Sequence, residues 1–262
     1  MRKVLFFLLM LVSGAVQADA MQSDCLAVAS RQPRVQHAAF TPSQLAEGQV
    51  KLTFLGHSSF IIESPGGTRI VTDYAGRAGG IIPDAVTMKR SHTSHFTNTP
   101  DPAIRHVLRG WNPEGGAAVH DIEVGDIRIR NVTTDIRGGM AGRMKDGNSI
   151  FIFEVAGLCI GHLGHLHHLL GPEHVGLIGR LDIVMVPVDG GYTMGQAEML
   201  EVMRTLKARI VIPMHYFGPT TLNRFIGSLG KDFALEVSSS PERVVSAAAL
   251  PDVPKLLVLP GY

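Results

Sequence analysis

Between Asp182 and Tyr216 the chain reads DIVMVPVDGGYTMGQAEMLEVMRTLKARIVIPMHY. A short apolar run, a glycine-rich loop, a segment with helical periodicity and a second apolar run follow one another there. In the third of these, Met199, Leu200, Met203 and Leu206 recur at the spacing of one helix face, which marks them as core. Strand, loop, helix and strand in that order make this an α/β chain. The second strand delivers His215 to its end, the place where such proteins hold ligands at the edge of a sheet.

The 262 residues and an apolar fraction of 45% are ample for a buried core. Residues 1–20 place Arg2 and Lys3 before an apolar run from Val4 to Val12 and close on Ala18-Asp19-Ala20. A basic start, a core too short to span and an A-x-A end predict a secretory signal peptide, with no transmembrane anchor after its cleavage. Residues 21–48 read as an irregular arm and residues 49–262 as the folded domain. Export points to the bacterial periplasm. Removing Arg2, Lys3 and Asp19 from the chain's 24 basic and 23 acidic residues leaves 22 of each, so bulk charge steers the protein to no nucleic acid. Export would permit a disulfide between Cys25 and Cys159, the two cysteines. Cys159, inside the apolar run Leu158–Ile160, is more simply a small core residue, and we expect the two not to pair.

Strand-like runs open the domain at Val50–Leu55, Phe60–Ser64, Arg69–Thr72, Ala85–Met88, Ile127–Val132 and Ser149–Val155. The second half alternates strands at Leu158–His162, Asp182–Pro187 and Arg209–Pro213 with helices near Glu173–Ile178, Met194–Leu206 and Thr220–Leu229. Lys255–Leu259 closes the chain as an edge strand. Two glycine-rich segments, Trp111–Gly125 and Arg137–Gly147, read as loops at the rim of a pocket. The pattern predicts a layered sandwich with helices outside.

Twelve histidines are many, and His37, His106, His120 and His174 sit in loosely patterned contexts. The other eight follow strands. His57 occupies the first turn, His92 and His95 follow the Ala85–Met88 run, His162, His165, His167 and His168 crowd GHLGHLHH, and His215 ends its strand. Buried imidazoles need partners, so four strand ends carrying them favour metal binding over core filling. Neighbouring residues cannot all point inward, which makes His167 and His168 the weakest members.

The ordered segments LGHSSFIIES, IVTD, SHTSHF, GNSIFIFEVAGLCIGHLGH, DIVMVPVDGGYT and ARIVIPMHY resemble the metallo-β-lactamase-fold hydrolases, in the branch of ascorbate-6-phosphate lactonase and N-acyl-phosphatidylethanolamine phospholipase D. The resemblance covers Gln49 to Tyr262 and implies an αββα sandwich with a zinc site at one edge. It also locates a departure. Where the family carries H-x-H-x-D-H, this chain has Arg90, His92, Ser94 and His95; Thr134-Asp135 and His165 stand at two further ligand positions, and His215 is kept. Arginine has no lone pair to give and repels a cation. The expected site is therefore one zinc, with nickel, copper or iron as alternatives, held by His92, His95, His165 and His215.

On that reading a metal-bound hydroxide hydrolyses an ester, lactone or phosphodiester. Asp73 would orient ligands or water, His57 would shuttle protons or merely stabilise its turn, and Arg90 would hold the anionic end of a small-molecule substrate. The alternative is a catalytically retired sandwich that binds a metal, a cofactor or a partner. Oligomeric state is open.

Overall fold

Side chains that alternate along a strand face opposite sides of a sheet, and this chain uses the alternation to separate two cores. The computed structural model describes residues 21, 23–26, 45–138 and 142–261. Its strands are β1 (Gln49–Gly56), β2 (Ser59–Glu63), β3 (Arg69–Val71), β4 (Ala85–Met88), β5 (His106–Arg109), β6 (Asp121–Val124), β7 (Ile127–Arg137), β8 (Arg143–Val155), β9 (Leu158–His162), β10 (Ile183–Pro187), β11 (Ile210–Met214), β12 (Ala234–Val237), β13 (Glu242–Ser246) and β14 (Lys255–Val258). The helices are α1 (Pro172–Ile178), α2 (Gln196–Leu206) and α3 (Pro219–Ser228). One sheet runs β13-β1-β2-β3-β4-β5, and the other runs β12-β14-β11-β10-β9-β8-β7-β6.

In β10, Ile183 and Met185 join Leu52, Phe60 and Phe153 in the core between the sheets. Val184 and Val186 turn outward to Met199, Met203 and Phe225 on α2 and α3. All three helices cover this second sheet. Among the described residues the outer face of the first sheet is covered by loop side chains, Tyr74 and Ile104 with Phe96 and Trp111, rather than by a helix.

The same alternation corrects the expectation for the cysteines. Leu158 and Ile160 face the inter-sheet core, so Cys159 between them faces outward, where the N-terminal arm crosses. There it forms a disulfide with Cys25 across a Cα separation of 5.8 Å. Arm and sheet are also joined by Ser23 Oγ to Glu154 Oε1 at 2.7 Å and by Arg180 N to the Cys25 carbonyl at 2.8 Å.

Two further expectations change. Lys255–Val258 is not an edge strand, because β12 pairs with it in parallel and takes the edge. Most of Arg137–Gly147 belongs to the long β7–β8 hairpin instead of a loop, and Trp111–Gly125 contains β6. The expected signal peptide and most of the expected arm lie outside the described residues. No helix among the described residues is long and apolar enough to cross a membrane.

Candidate metal centre

Strand ends of both sheets deliver polar side chains to one rim. His57 lies in the β1–β2 turn, Asp73 just after β3, His95 after β4, His165 after β9, Asp189 after β10 and His215 directly after β11. Among the described residues six that are not glycine hold the left-handed backbone conformation, and three of them are His57, Asp73 and His215, at φ 52°, 46° and 55°. Each costs about 1 kcal/mol, a strain that concentrates at functional sites. The strained turns are locked together, since His215 N donates to the His57 carbonyl.

His57, His95 and His215 each bring a ring nitrogen within 4.8 Å of the other two. His95 Nε2 and His215 Nε2 are 3.2 Å apart. On the far side of each ring stands a carboxylate: Asp73 Oδ2 lies 2.7 Å from His95 Nδ1, and Asp189 Oδ2 lies 2.9 Å from His215 Nδ1. A carboxylate accepts, so both Nδ1 atoms carry a proton and Nε2 is the nitrogen left on each ring to offer a lone pair. His57 Nε2 is buried without a partner. Burial first, then the proximity of His215 and His95, pull the His57 pKa down to about 4, so the His57 ring is neutral near pH 7.

Behind this trio lies a buried ionic layer. Lys89 Nζ donates to Asp73 Oδ1 at 3.1 Å and to His162 Nδ1 at 3.2 Å, and both Lys89 and Asp73 side chains are fully buried. His162 Nε2 donates to the Ser58 carbonyl at 2.8 Å, and burial lowers its pKa to about 4. Burial pushes the Asp73 carboxyl up, but Lys89, His162 and His95 outweigh it and hold the group well below its ordinary range. Asp189 behaves alike: hydrogen bonds from His215, Thr193 and the Gly191 backbone overcome burial. Gly164 makes room for the layer, since a Cβ there would meet Lys89 Cε at 2.4 Å.

Of the residues picked from the sequence, His95 and His215 sit at the centre, with His57 beside them and Asp73 behind. His165 touches the His95 and His215 rings at centroid distances of 5.3 and 5.0 Å but lies outside the three-nitrogen group. His92 is exposed, with its ring 5.1 Å from His165 and 6.2 Å from His95. Arg90 is exposed and makes no ion pair among the described residues; the cation that enters the site is its neighbour Lys89. Asp135 is turned to Arg143 at 2.8 Å by a register shift between Thr134 and Ile136. Sequence reasoning missed Lys89, Ser58 and Asp189. The signal for Asp189 was present in VDGGYT, where glycines let the loop fold back on a carboxylate; a lysine beside an arginine gives no hint of burial.

Tyr192 and Phe217 stand at the mouth, 61% and 63% exposed, with ring centroids 5.4 Å apart. Beyond His167 opens a cavity of about 490 Å³ lined by Arg137, Arg143, His168 and Met194.

A family model described as the beta-lactamase superfamily domain matches residues 51–215, from β1 through His215. The chain belongs to the beta-lactamase superfamily. Relatives within it include a UPF0173 metal-dependent hydrolase of Pelotomaculum thermopropionicum, 27% identical over 194 residues, which cover 64% of this chain and 84% of that protein. Another, from Myxococcus xanthus, is 25% identical over 238 residues, 80% of this chain and 85% of the relative. Among solved structures, a Thermotoga maritima protein described as a zinc-dependent hydrolase of the metallo-beta-lactamase superfamily aligns with a TM-score of 0.59 at 28% identity, covering 80% of this chain and 98% of its own. YhfI of Bacillus subtilis shares the fold, with a TM-score of 0.52 at 11% identity, covering 81% and 98%.

For this superfamily member the donor set fits one metal ion. Two nitrogens bound to one tetrahedral ion at ~2.0–2.1 Å stand about 3.3 Å apart, close to the spacing of the facing Nε2 atoms. Their carboxylate partners are the outer groups that fix ligand tautomers in metal proteins.

Proposed function

We propose that the chain is an exported hydrolase of an ester, lactone or phosphodiester, dependent on one zinc ion held by His57, His95 and His215. The observation that carries the reading is the pair of facing Nε2 atoms 3.2 Å apart, each on a ring whose Nδ1 is held by a carboxylate behind it. When bound, such a cation supplies the Lewis acidity that makes water a nucleophile near neutral pH. The chain's own residues do the rest. Asp73 and Asp189 hold the two rings in the ligating tautomer, and Lys89 keeps Asp73 ionised in a buried place. Tyr192 and Phe217 border the entrance, and Arg137 and Arg143 offer positive charge to an anionic substrate end, the role expected of Arg90.

Imidazole donors suit zinc, and nickel, copper or iron would also be accepted. Export is supported by the pattern of residues 1–20 and by the Cys25–Cys159 disulfide, since such bonds persist in oxidising compartments such as the periplasm. On this reading residues 49–262 form the working domain.

The competing reading is a retired enzyme that binds metal without turnover. It draws on Arg90 and Ser94, exposed where the family resemblance implies ligands. Assaying the zinc-loaded protein on a panel of esters, lactones and phosphodiesters separates the two. Turnover that disappears in His95→Ala and His215→Ala is the expected result; stoichiometric zinc with no turnover across the panel favours the retired form.

A further inference from the structure

A chain of hydrogen bonds fixes the protonation of His165. Arg137 N, a backbone donor, lies 2.7 Å from His167 Nδ1. That nitrogen must accept, so the His167 proton is on Nε2. His167 Nε2 is in turn 2.7 Å from His165 Nδ1, which must accept as well. The His165 proton is thereby placed on Nε2. That atom is buried, in a residue only 2% exposed, and has no partner. A buried N–H without an acceptor forfeits its hydrogen bond to water, and proteins retain such groups where something else will fill the gap.

We propose that His165 donates a hydrogen bond from Nε2 to an oxygen of the substrate, and is not a ligand to the metal. The inference deepens the hydrolase reading and rests on it. Nε2 with a proton has no lone pair for a cation, which agrees with the place of His165 outside the three-nitrogen group. Its ring stands edge-on to His95 and His215, at interplanar angles of 88° and 85°, so the unpaired donor belongs to the surroundings of the same centre. The family resemblance implies an aspartate at this position, a group that can only accept when ionised. Histidine reverses the polarity, and the matching substrate atom is an electron-rich oxygen: a carbonyl or phosphoryl oxygen that gains negative charge as it is attacked.

The test uses the full chain loaded with zinc, with methylphosphonate as probe. Two-bond proton–nitrogen correlation spectra of the wild type should show the Nε2–H tautomer at His165. His165→Ala should keep its zinc and bind methylphosphonate about tenfold or more weakly, the usual effect of losing a hydrogen bond to a charged group. His165→Gln, which retains an N–H donor, should recover part of that loss, an outcome a packing role would not produce. Loss of zinc from His165→Ala, an Nδ1–H tautomer, or an unchanged affinity in His165→Ala overturns the inference. If the wild type takes up no zinc, the hydrolase reading falls with it; if it takes up zinc and hydrolyses esters while one of those results is found, the assignment of His165 alone falls.

Discussion

His95 Nε2 and His215 Nε2 face each other across 3.2 Å, a contact that two lone pairs do not make unless something positive, a shared proton or a metal ion, lies between them. Asp73 and Asp189 enforce it, because each fixes the proton on the opposite nitrogen. The pair is thus arranged to share one positive charge, which in the function proposed above is a metal ion.

Asp189 is the more informative carboxylate to change. One oxygen faces His215 and Thr193, and the other accepts from the backbone nitrogens of Gly191, Tyr192 and Thr193. Asp189→Asn should weaken zinc affinity roughly 10–100-fold, the usual effect of removing such a partner. Competition with a chromogenic chelator measures it, and wild-type affinity would show that the carboxylate does not set the tautomer.

Lys89→Met replaces the buried ammonium by an apolar chain of similar length and leaves Asp73 without its cation. Removing one partner of a buried pair costs about 3–5 kcal/mol. Urea denaturation should show a fall of that order, and a change below 1 kcal/mol would mean that Asp73 is ionised by His95 and His162 alone.

The disulfide closes a loop with a sequence separation of 134. Chain entropy gives about 5 kcal/mol for a loop of this size, an upper figure for what is measured. Cys159→Ser should lower the melting temperature, and a reductant should lower that of the wild type to a similar value. Equal melting temperatures with and without reductant would contradict the pairing.

Acid should destabilise the metal-free protein in a defined window. His162 has a folded pKa of about 4, below its unfolded value near 6.5, so its contribution is complete above pH 6.5 and is lost as pH falls toward 4. Between pH 7 and pH 5 this one group removes roughly 2 kcal/mol. His57 titrates over the same range and adds to the loss. Asp73 and Asp189, held low, add theirs only at more acid pH. Urea midpoints that stay level from pH 7 to 5 would contradict the buried neutral His162.

Much of the fold was legible because its signals are local. Ile183–Pro187 and Ile210–Met214 are continuous apolar runs, and α2 shows its buried face as a spacing. The strands that escaped, β5, β6, β12 and β13, are short and half-exposed, with too little apolar pattern to stand out. At the site, histidines at strand ends were visible as residue types in sequence, but their directions were not. Left-handed turns at His57 and His215 decide which rings converge, and such turns in non-glycine residues leave no sequence mark. Lys89 and Arg90 were indistinguishable as neighbouring cations, although one is buried and the other is in solvent. The cysteine pair was misjudged for a related reason: an apolar neighbourhood identifies burial, not which side of the sheet a residue faces.

Metal content tests the central claim most directly. Plasma emission analysis of the protein, purified with zinc supplied and excess removed, should give one ion per chain in the wild type and almost none in His95→Ala or His215→Ala. A wild type without metal, or full occupancy retained in both variants, would contradict a cation held between these two rings.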